Sequence, residues 1–331
     1  MLHSHRISVA GARLVAAAAF GLAGLSLASA ETKWDMPTPY GDSNFHTQNI
    51  AKFAEEVSDK TGGSLTIQIH SAGSLFKHPE IKNAVRKGLA PIGEVLISRL
   101  SNEDPVFGVD SVPFMANSYD AAWDLYQASK PVLEEKLAAQ GLQLLYTVPW
   151  PPQGIYAKKD INTIDDLKGL KFRAYNASTE RLAQLAGAVP TQVEVPDLPT
   201  AFSTGRVEAM ITSPSTGANA KAWDFLDHYY DTQAWLPKNM VIVNKSAFDG
   251  LSDAEKAAVL EAAATAETRG WDASKAETAS KTQILKDNGI AVAAPSDALQ
   301  ASMKEIGATM VGEWKESAGA DGVTIVDAFS K

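Results

Sequence analysis

The chain has 331 residues, of which 45% are hydrophobic and 21% are charged. This balance is ordinary for a globular protein of about two domains and too apolar for intrinsic disorder. The formal net charge of −9 at pH 7 argues against nucleic acid and anionic lipid as partners. The sequence contains no cysteine, which excludes disulfides, thiol catalysis and thiolate metal sites.

Residues 1–30 have the features of an export signal. Arg6 and Arg13 precede the apolar run LVAAAAFGLAGLSLA, and the sequence ASA that ends at Ala30 matches a cleavage site. The apolar run is short for a bilayer span, which takes about 20 residues. We therefore expect cleavage near Ala30 and a periplasmic protein that does not insert into the membrane.

The chain from residue 31 to residue 149 alternates between strand-like and helix-like hydrophobic patterns. Strands are predicted at TKWDMP (32–37), SLTIQIHS (64–71), APIGEVLIS (90–98) and LQLLYTV (142–148). Helices are predicted at about 43–61, 78–90 and 118–140. Strands that alternate with helices predict an α/β class with mostly parallel sheets.

The pattern begins again after the proline-rich crossing TVPWPPQG (147–154). Further strands are predicted at GIYAKK (154–159), FRAYN (172–176) and NMVIVNKSAF (239–248), with short elements of unassigned type up to AMITS (209–213). A helix is predicted at 178–187, and Ser252 with Glu255 forms a capping box that starts a long alanine-rich helical segment to residue 288. We therefore predict two α/β lobes joined by several chain passages, with a ligand cleft between them. Lobe I takes residues 31–151 and about 240–283, and lobe II takes 152–239 and about 284–331.

Motifs of the common cofactor and catalytic sites are missing from the sequence. It has no phosphate-binding glycine loop and no G-x-S-x-G elbow, and its histidines lack H-x-x-x-H spacing. We expect no cofactor, no metal and no catalytic residues. An exported hydrolase remains the alternative of another class, because a Ser-His-Asp triad assembles from distant segments.

Three stretches resemble the solute-binding proteins of tripartite ATP-independent periplasmic (TRAP) transporters, the DctP-type family. They are INTIDDLKGLKFRAYN (161–176), AFSTGRVEAM (201–210) and VIVNKSAFDGLSDAEKAAV (241–259). The resemblance covers essentially all of the chain beyond residue 30. It implies a two-lobed periplasmic-binding-protein-like fold, each lobe a mixed, mostly parallel sheet flanked by helices, with a long lobe-spanning helix. It also implies a receptor that closes on a small molecule without chemistry and docks on the membrane subunits of a permease.

The resemblance assigns a role to Arg173, because the matching arginine of the family commonly pairs with a substrate carboxylate. A guanidinium offers a rigid planar fork that fits a carboxylate. The alternative is that Arg173 pairs with an internal acid and only braces the lobes.

The chain also departs from the family pattern. Many members carry a second cleft arginine near the position of Gln153, where this chain has none, and the family's asparagine falls near Thr212 and Ser213. Glu94 lies near the cleft-facing end of its predicted strand, where members usually have a small or neutral residue. Its alternatives are a partner for Arg173 or Arg99, or simple exposure.

Aromatic side chains gather at predicted strand ends and crossings. Aromatic faces beside one carboxylate form a good cradle for an ammonium group. We therefore predict an amine-bearing ligand, either an amino alcohol such as ethanolamine or a zwitterion, with a small monocarboxylate as a close alternative. The predicted ligand-binding residues are Tyr40, Glu94, Trp150, Gln153, Arg173, Tyr175, Asn176, Thr212, Ser213, Trp235 and Asn239.

Overall fold

The computed structural model describes residues 31–330, and the predicted export signal with its cleavage near Ala30 lies outside them. The strands are β1 (Thr32–Pro37), β2 (Leu65–His70), β3 (Ile92–Leu96), β4 (Leu142–Pro149), β5 (Gly154–Ala157), β6 (Lys171–Ala174), β7 (Val189–Gln192), β8 (Ala209–Thr212), β9 (His228–Tyr230), β10 (Lys238–Asn244) and β11 (Ala291–Ala293). The helices are α1 (Phe45–Lys60), α2 (His78–Arg86), α3 (Tyr119–Ala138), α4 (Ala177–Leu185), α5 (Leu198–Ser203), α6 (Pro214–Asn219), α7 (Lys245–Asp249), α8 (Asp253–Asp287) and α9 (Asp297–Phe329). Most predicted elements are therefore present, with ends shifted by a few residues.

The strands of the described chain form three sheets. A parallel pair joins β1 and β2, a three-stranded sheet has the order β3-β10-β4, and a six-stranded sheet has the order β11-β9-β5-β8-β6-β7. The six-stranded sheet is mixed, as predicted, whereas the β1-β2 pair is parallel and the β3-β10-β4 sheet is antiparallel. Half of the strand pairs among the described residues are parallel, and every antiparallel pair involves β5 or β10. Both strands follow a proline-containing crossing between the two larger sheets, so each enters its sheet against the direction of its neighbours.

Helix α8 is continuous and connects the part of the molecule that contains the three-stranded sheet with the part that contains the six-stranded sheet. Its predicted capping box is confirmed, because Ser252 Oγ accepts from the Glu255 amide at 3.2 Å and the Glu255 carboxylate accepts from the Ser252 amide at 2.9 Å. The helix contacts α1 and β4 on one side and α6 and β11 on the other. A side chain at Gly270 would lie 2.3 Å from Val148, so this glycine permits the close approach of α8 to β4.

Two elements differ from the prediction. The strand predicted to reach residue 248 ends at Asn244, because the Asn244 side chain accepts from the Ala247 amide at 3.1 Å and starts α7. The sequence patterns also missed α9, which contacts both α3 and α4 and is interrupted at Gly319 (φ 54°, ψ −130°).

The two-lobed fold class is confirmed by the separate sheets and the helices around them. The exact lobe boundaries stay a prediction, because the described residues pack as one compact unit. None of the helices between residues 31 and 330 has both the length and the apolar character that crossing a bilayer requires.

Candidate ligand-binding site

A cavity lies where the carboxyl ends of β3, β6, β7 and β8 meet the two crossings. Its empty space, including the part that is open to solvent, is about 380 Å³. Binding at the carboxyl ends of strands is general for open α/β sheets. The lining residues are Tyr40, His78, Leu96, Arg99, Trp150, Gln153, Arg173, Tyr175, Glu194, Val195, Thr212, Ser213, Thr216 and Pro237.

Arg173 is the buried cation of this cavity. Strand β6 brings it to the cavity wall, where its Nε donates to the Val193 carbonyl at 2.9 Å and its guanidinium lies 4.7 Å from the centroid of the Tyr175 ring. Among residues 31–330, no carboxylate lies within 4.0 Å of the guanidinium nitrogens. Burial lowers the pKa of Arg173 to about 10, which leaves it charged at neutral pH. The alternative that Arg173 braces an internal acid is therefore not what the geometry shows.

The wall under Arg173 is held by a chain of hydrogen bonds. Tyr175 Oη donates to Gln153 Oε1 at 3.1 Å and accepts from Trp235 Nε1 at 3.2 Å. Gln153 Nε2 in turn donates to the Pro151 carbonyl at 2.8 Å. These polar groups satisfy one another, so the aromatic wall and the proline-rich crossing form one rigid unit.

A second arginine lines the cavity, but it is paired. Arg99 Nη1 lies 2.9 Å from Glu194 Oε1 and donates to the Tyr175 carbonyl at 3.0 Å. Burial alone would raise the pKa of Glu194, but His78 and the charges of Arg99 and Arg173 hold it at about 2. Glu194 is therefore ionised at neutral pH and balances Arg99.

His78 completes this group as a neutral side chain. Its Nε2 accepts from the Leu96 amide at 3.1 Å, so the ring proton is on Nδ1, which lies 3.7 Å from Glu194 Oε2. Burial lowers the pKa of His78. The ionised lining residues are thus two arginines and one glutamate, which leaves the cavity with one excess positive charge.

Glu94 lies behind the cavity wall and does not line the cavity. Its carboxylate accepts from Thr38 and, at 2.8 Å, from Asn239 Nδ2, and it contacts neither Arg173 nor Arg99. Burial raises the pKa of Glu94 to about 7, although these hydrogen bonds lower it. Both the predicted contact of Glu94 with an ammonium group and its alternatives as an arginine partner or an exposed residue disagree with this position, because β3 directs the side chain into the core.

Asn239 connects Glu94 to the aromatic side of the cavity. Its Oδ1 accepts from Trp150 Nε1 at 2.9 Å and from Tyr40 Oη at 3.4 Å. The Tyr40 and Trp150 rings meet edge to face, with centroids 5.0 Å apart. Both rings line the cavity, whereas Asn239 holds them from behind.

Seven of the predicted residues line the cavity: Tyr40, Trp150, Gln153, Arg173, Tyr175, Thr212 and Ser213. Four lie behind it, namely Glu94, Asn176, Trp235 and Asn239. Asn176 caps α4 and also donates to Ser98 Oγ at 2.8 Å, which ties α4 to the turn after β3.

Sequence reasoning missed His78, Arg99 and Glu194 as lining residues. Arg99 and Glu194 each follow a strand by two or three residues. The rule that ligands bind beyond the carboxyl ends of strands was a signal that could have found both.

The fold and the cavity define a two-lobed receptor for a small solute, with no cofactor motif and, within residues 31–330, no cluster of side chains suited to a metal ion. The sequence profile of the family described as bacterial extracellular solute-binding protein, family 7 (DctP) matches residues 39–317. The chain belongs to this family, whose members are the receptors of TRAP transporters, and it is a receptor and not an enzyme. TRAP solute-binding proteins are periplasmic, in agreement with the predicted compartment.

Solved structures and curated relatives agree with this assignment. DctP7 of Bordetella pertussis, a receptor binding pyroglutamic acid, is 48% identical, with a TM-score of 0.90 over 91% of this chain and 100% of that chain. A marine metagenome TRAP protein specific for pyroglutamate is 43% identical, with a TM-score of 0.89 over 91% of this chain and 99% of that chain. The C4-dicarboxylate-binding protein DctP of Rhodobacter capsulatus is 25% identical over 73% of this chain and 74% of its own length.

Proposed function

We propose that the protein captures a small cyclic monocarboxylate of the pyroglutamate type and delivers it to the membrane subunits of a TRAP permease. The observation that carries this proposal is the buried Arg173 guanidinium, which faces the cavity with no carboxylate partner among the described residues. A buried charge without a partner is costly, and a ligand carboxylate would supply that partner.

The charge of the cavity favours a monoanion. Arg99 is balanced by Glu194, and His78 is neutral, so Arg173 supplies the one unbalanced charge. A ligand with one negative charge would leave the closed cavity neutral. A cation would instead face Arg173 with no free acid beside it, which argues against the amine-bearing ligand that the aromatic residues and Glu94 suggested.

The rest of the cavity suits a compact, partly apolar ring. Tyr40, Trp150 and Tyr175 offer aromatic surfaces. The Thr212 hydroxyl lines the cavity and makes no hydrogen bond to another of the residues 31–330, so it is available to a lactam carbonyl or N–H group. The two similar receptors that bind pyroglutamate support this ligand class.

Capture needs no chemistry. The cavity is lined by residues from both larger sheets, so a bound ligand contacts both sides. Such a ligand favours the closed form only to the extent that it binds the closed form more tightly than the open form. The closed form would then dock on the permease, which is the general role of receptors in this family.

The test is a titration of the mature protein followed by intrinsic tryptophan fluorescence and by calorimetry, since Trp150 lines the cavity. The ligands are L-pyroglutamate, L-proline, glutarate and ethanolamine. We expect saturable binding of L-pyroglutamate at least a hundredfold tighter than that of the other three. L-Proline is the matched control, because it keeps the ring and the carboxylate but replaces the lactam with a charged amine.

Recovery of unchanged pyroglutamate after incubation completes the test. Tighter binding of ethanolamine than of pyroglutamate would contradict the proposal. Equal binding of proline and pyroglutamate would contradict the lactam part of it.

A further inference from the structure

Glu194 is the one carboxylate that lines the cavity among residues 31–330. It follows β7 directly after Val193, whose carbonyl accepts from Arg173 Nε at 2.9 Å. The same loop therefore binds Arg173 through the Val193 carbonyl and Arg99 through the Glu194 carboxylate. Glu194 lies beyond the end of β7, so a change of its charge acts on the cavity and leaves the pairing of β7 with β6 in place.

Arg99 has two polar partners, and only one of them is charged. Besides the 2.9 Å pair with Glu194, its Nη1 donates to the Tyr175 carbonyl at 3.0 Å. Loss of the Glu194 charge would therefore leave Arg99 at the cavity wall but unbalanced. The cavity would then hold two free positive charges, from Arg99 and Arg173.

We propose that Glu194 is a specificity-determining residue that restricts the receptor to monoanionic ligands by occupying Arg99. This inference rests on the proposed function and adds to it the reason why dicarboxylates are rejected. A second carboxylate in the cavity would meet the negative charge of Glu194 and find Arg99 already paired. Repulsive elements of this kind are how binding sites reject near analogues.

His78 does not change this balance near neutral pH. It carries its proton on the nitrogen that faces Glu194 and accepts the Leu96 amide with the other, so it adds no net charge. Glu194 remains ionised there, since its pKa is held at about 2. In a measurement at pH 7.5, Glu194 is therefore ionised and His78 is neutral.

The experiment measures the affinities of L-pyroglutamate and glutarate for the full mature protein and for Glu194→Gln. Glutamine keeps the size of the side chain and can still accept from Arg99. We expect the preference for pyroglutamate over glutarate to fall at least tenfold, about 1.4 kcal/mol, mainly because glutarate binds more tightly. Glu305→Gln, on the exposed face of α9 and outside the cavity lining, is the control with the same change in net charge and should keep the wild-type preference.

The double variant Glu194→Gln/Arg99→Gln separates the effect of the cavity charge from the effect of the shape of residue 194. It returns the cavity to one excess positive charge, from Arg173 alone. We expect the logarithm of the affinity ratio of pyroglutamate to glutarate to return at least half of the way to its wild-type value. This recovery would not occur if Glu194 acted only as a brace between the loops.

The outcomes are distinct. An unchanged preference in Glu194→Gln, or a folded variant that loses both ligands equally and is not restored by the second substitution, overturns the inference and leaves the proposed function intact. A wild-type protein that binds glutarate more tightly than pyroglutamate overturns both. A lowered preference that the double variant restores supports the inference.

Discussion

Two buried ionisable side chains of this protein, Arg173 and Glu94, differ in their access to the cavity and in their charge state. Arg173 faces a cavity, has no carboxylate partner among the described residues and stays charged. Glu94 is enclosed behind the cavity wall, where His46 is the nearest basic side chain at 3.4 Å. Burial lowers the pKa of His46 well below its usual value, so Glu94 has no cation beside it either.

The comparison shows how access to a cavity decides the role of a buried ionisable group. An arginine cannot release its proton near neutral pH, so an unpaired one is useful only if a ligand anion can reach it. A glutamate can become neutral instead, and the pKa of Glu94 is accordingly raised to about 7. The first group belongs to binding and the second to the stability of the wall behind it.

The largest effect is expected from removal of the free cation. Arg173→Ala should weaken pyroglutamate binding at least a hundredfold, about 2.7 kcal/mol, because the ligand carboxylate loses its only free counter-charge. The free energy of unfolding without ligand should change by no more than about 1 kcal/mol, since no acid is left unpaired. Calorimetric titration and chemical denaturation measure the two quantities.

Arg181→Ala is the matched control for this substitution. Arg181 forms an exposed pair with Glu313, with Nε at 3.0 Å from Oε2, and lies outside the cavity lining. It should leave the affinity unchanged. Wild-type affinity in Arg173→Ala would remove the basis of the proposed site.

A smaller effect, on stability and not on affinity, is expected from Glu94→Gln. Glutamine imitates the protonated carboxyl, since it can accept from Asn239 and donate to Thr38. Between its ordinary 4.5 and about 7, the Glu94 carboxyl is protonated in the folded protein and ionised in the unfolded chain. Its contribution to stability is therefore fully present below pH 4.5 and is lost as the pH rises through 7.

The variant should consequently be more stable than the wild type by about 2–3 kcal/mol at pH 8 and equal to it near pH 4.5. Denaturation curves at the two pH values measure this difference. Pyroglutamate affinity should change less than about threefold, because Glu94 does not line the cavity. A loss above tenfold would mean that the carboxylate reaches the ligand after all.

The smallest effect is expected from Tyr175→Phe, which keeps the ring beside Arg173 and removes the hydroxyl. Gln153 Oε1 and Trp235 Nε1 would each lose a partner, at a cost of about 1–2 kcal/mol in unfolding free energy. The affinity should fall less than about fivefold. Tyr175→Leu, which also removes the ring face, should bind more weakly than Tyr175→Phe, and equal binding of the two would show that the ring does not position Arg173.

Much of the fold could be predicted from local patterns. The alternation of Leu65, Ile67 and Ile69 marked β2, and the capping box at Ser252 marked the start of α8. These signals depend on residues a few positions apart. Helix α9 was missed, because its packing against α3 and α4 depends on segments more than a hundred residues away.

The site could be predicted in part. Arg173, Trp150 and Tyr175 were found because strand ends and a stiff crossing are visible in the sequence. Arg99 and Glu194 were missed as a pair, since they lie 95 residues apart and meet at 2.9 Å only when the two sheets come together. The charge of the cavity, and hence the ligand class that we propose, depends on that pairing.

The sequence by itself determined the alternating strands and helices, the family resemblance and the position of one arginine at a strand end, because each is set by short-range chemistry along the chain. Only the tertiary structure decided that Glu94 turns into the core while Glu194 turns into the cavity. The physical reason is that the state of a charge depends on the solvent and partners around it, and those are set by chain segments that are remote in sequence.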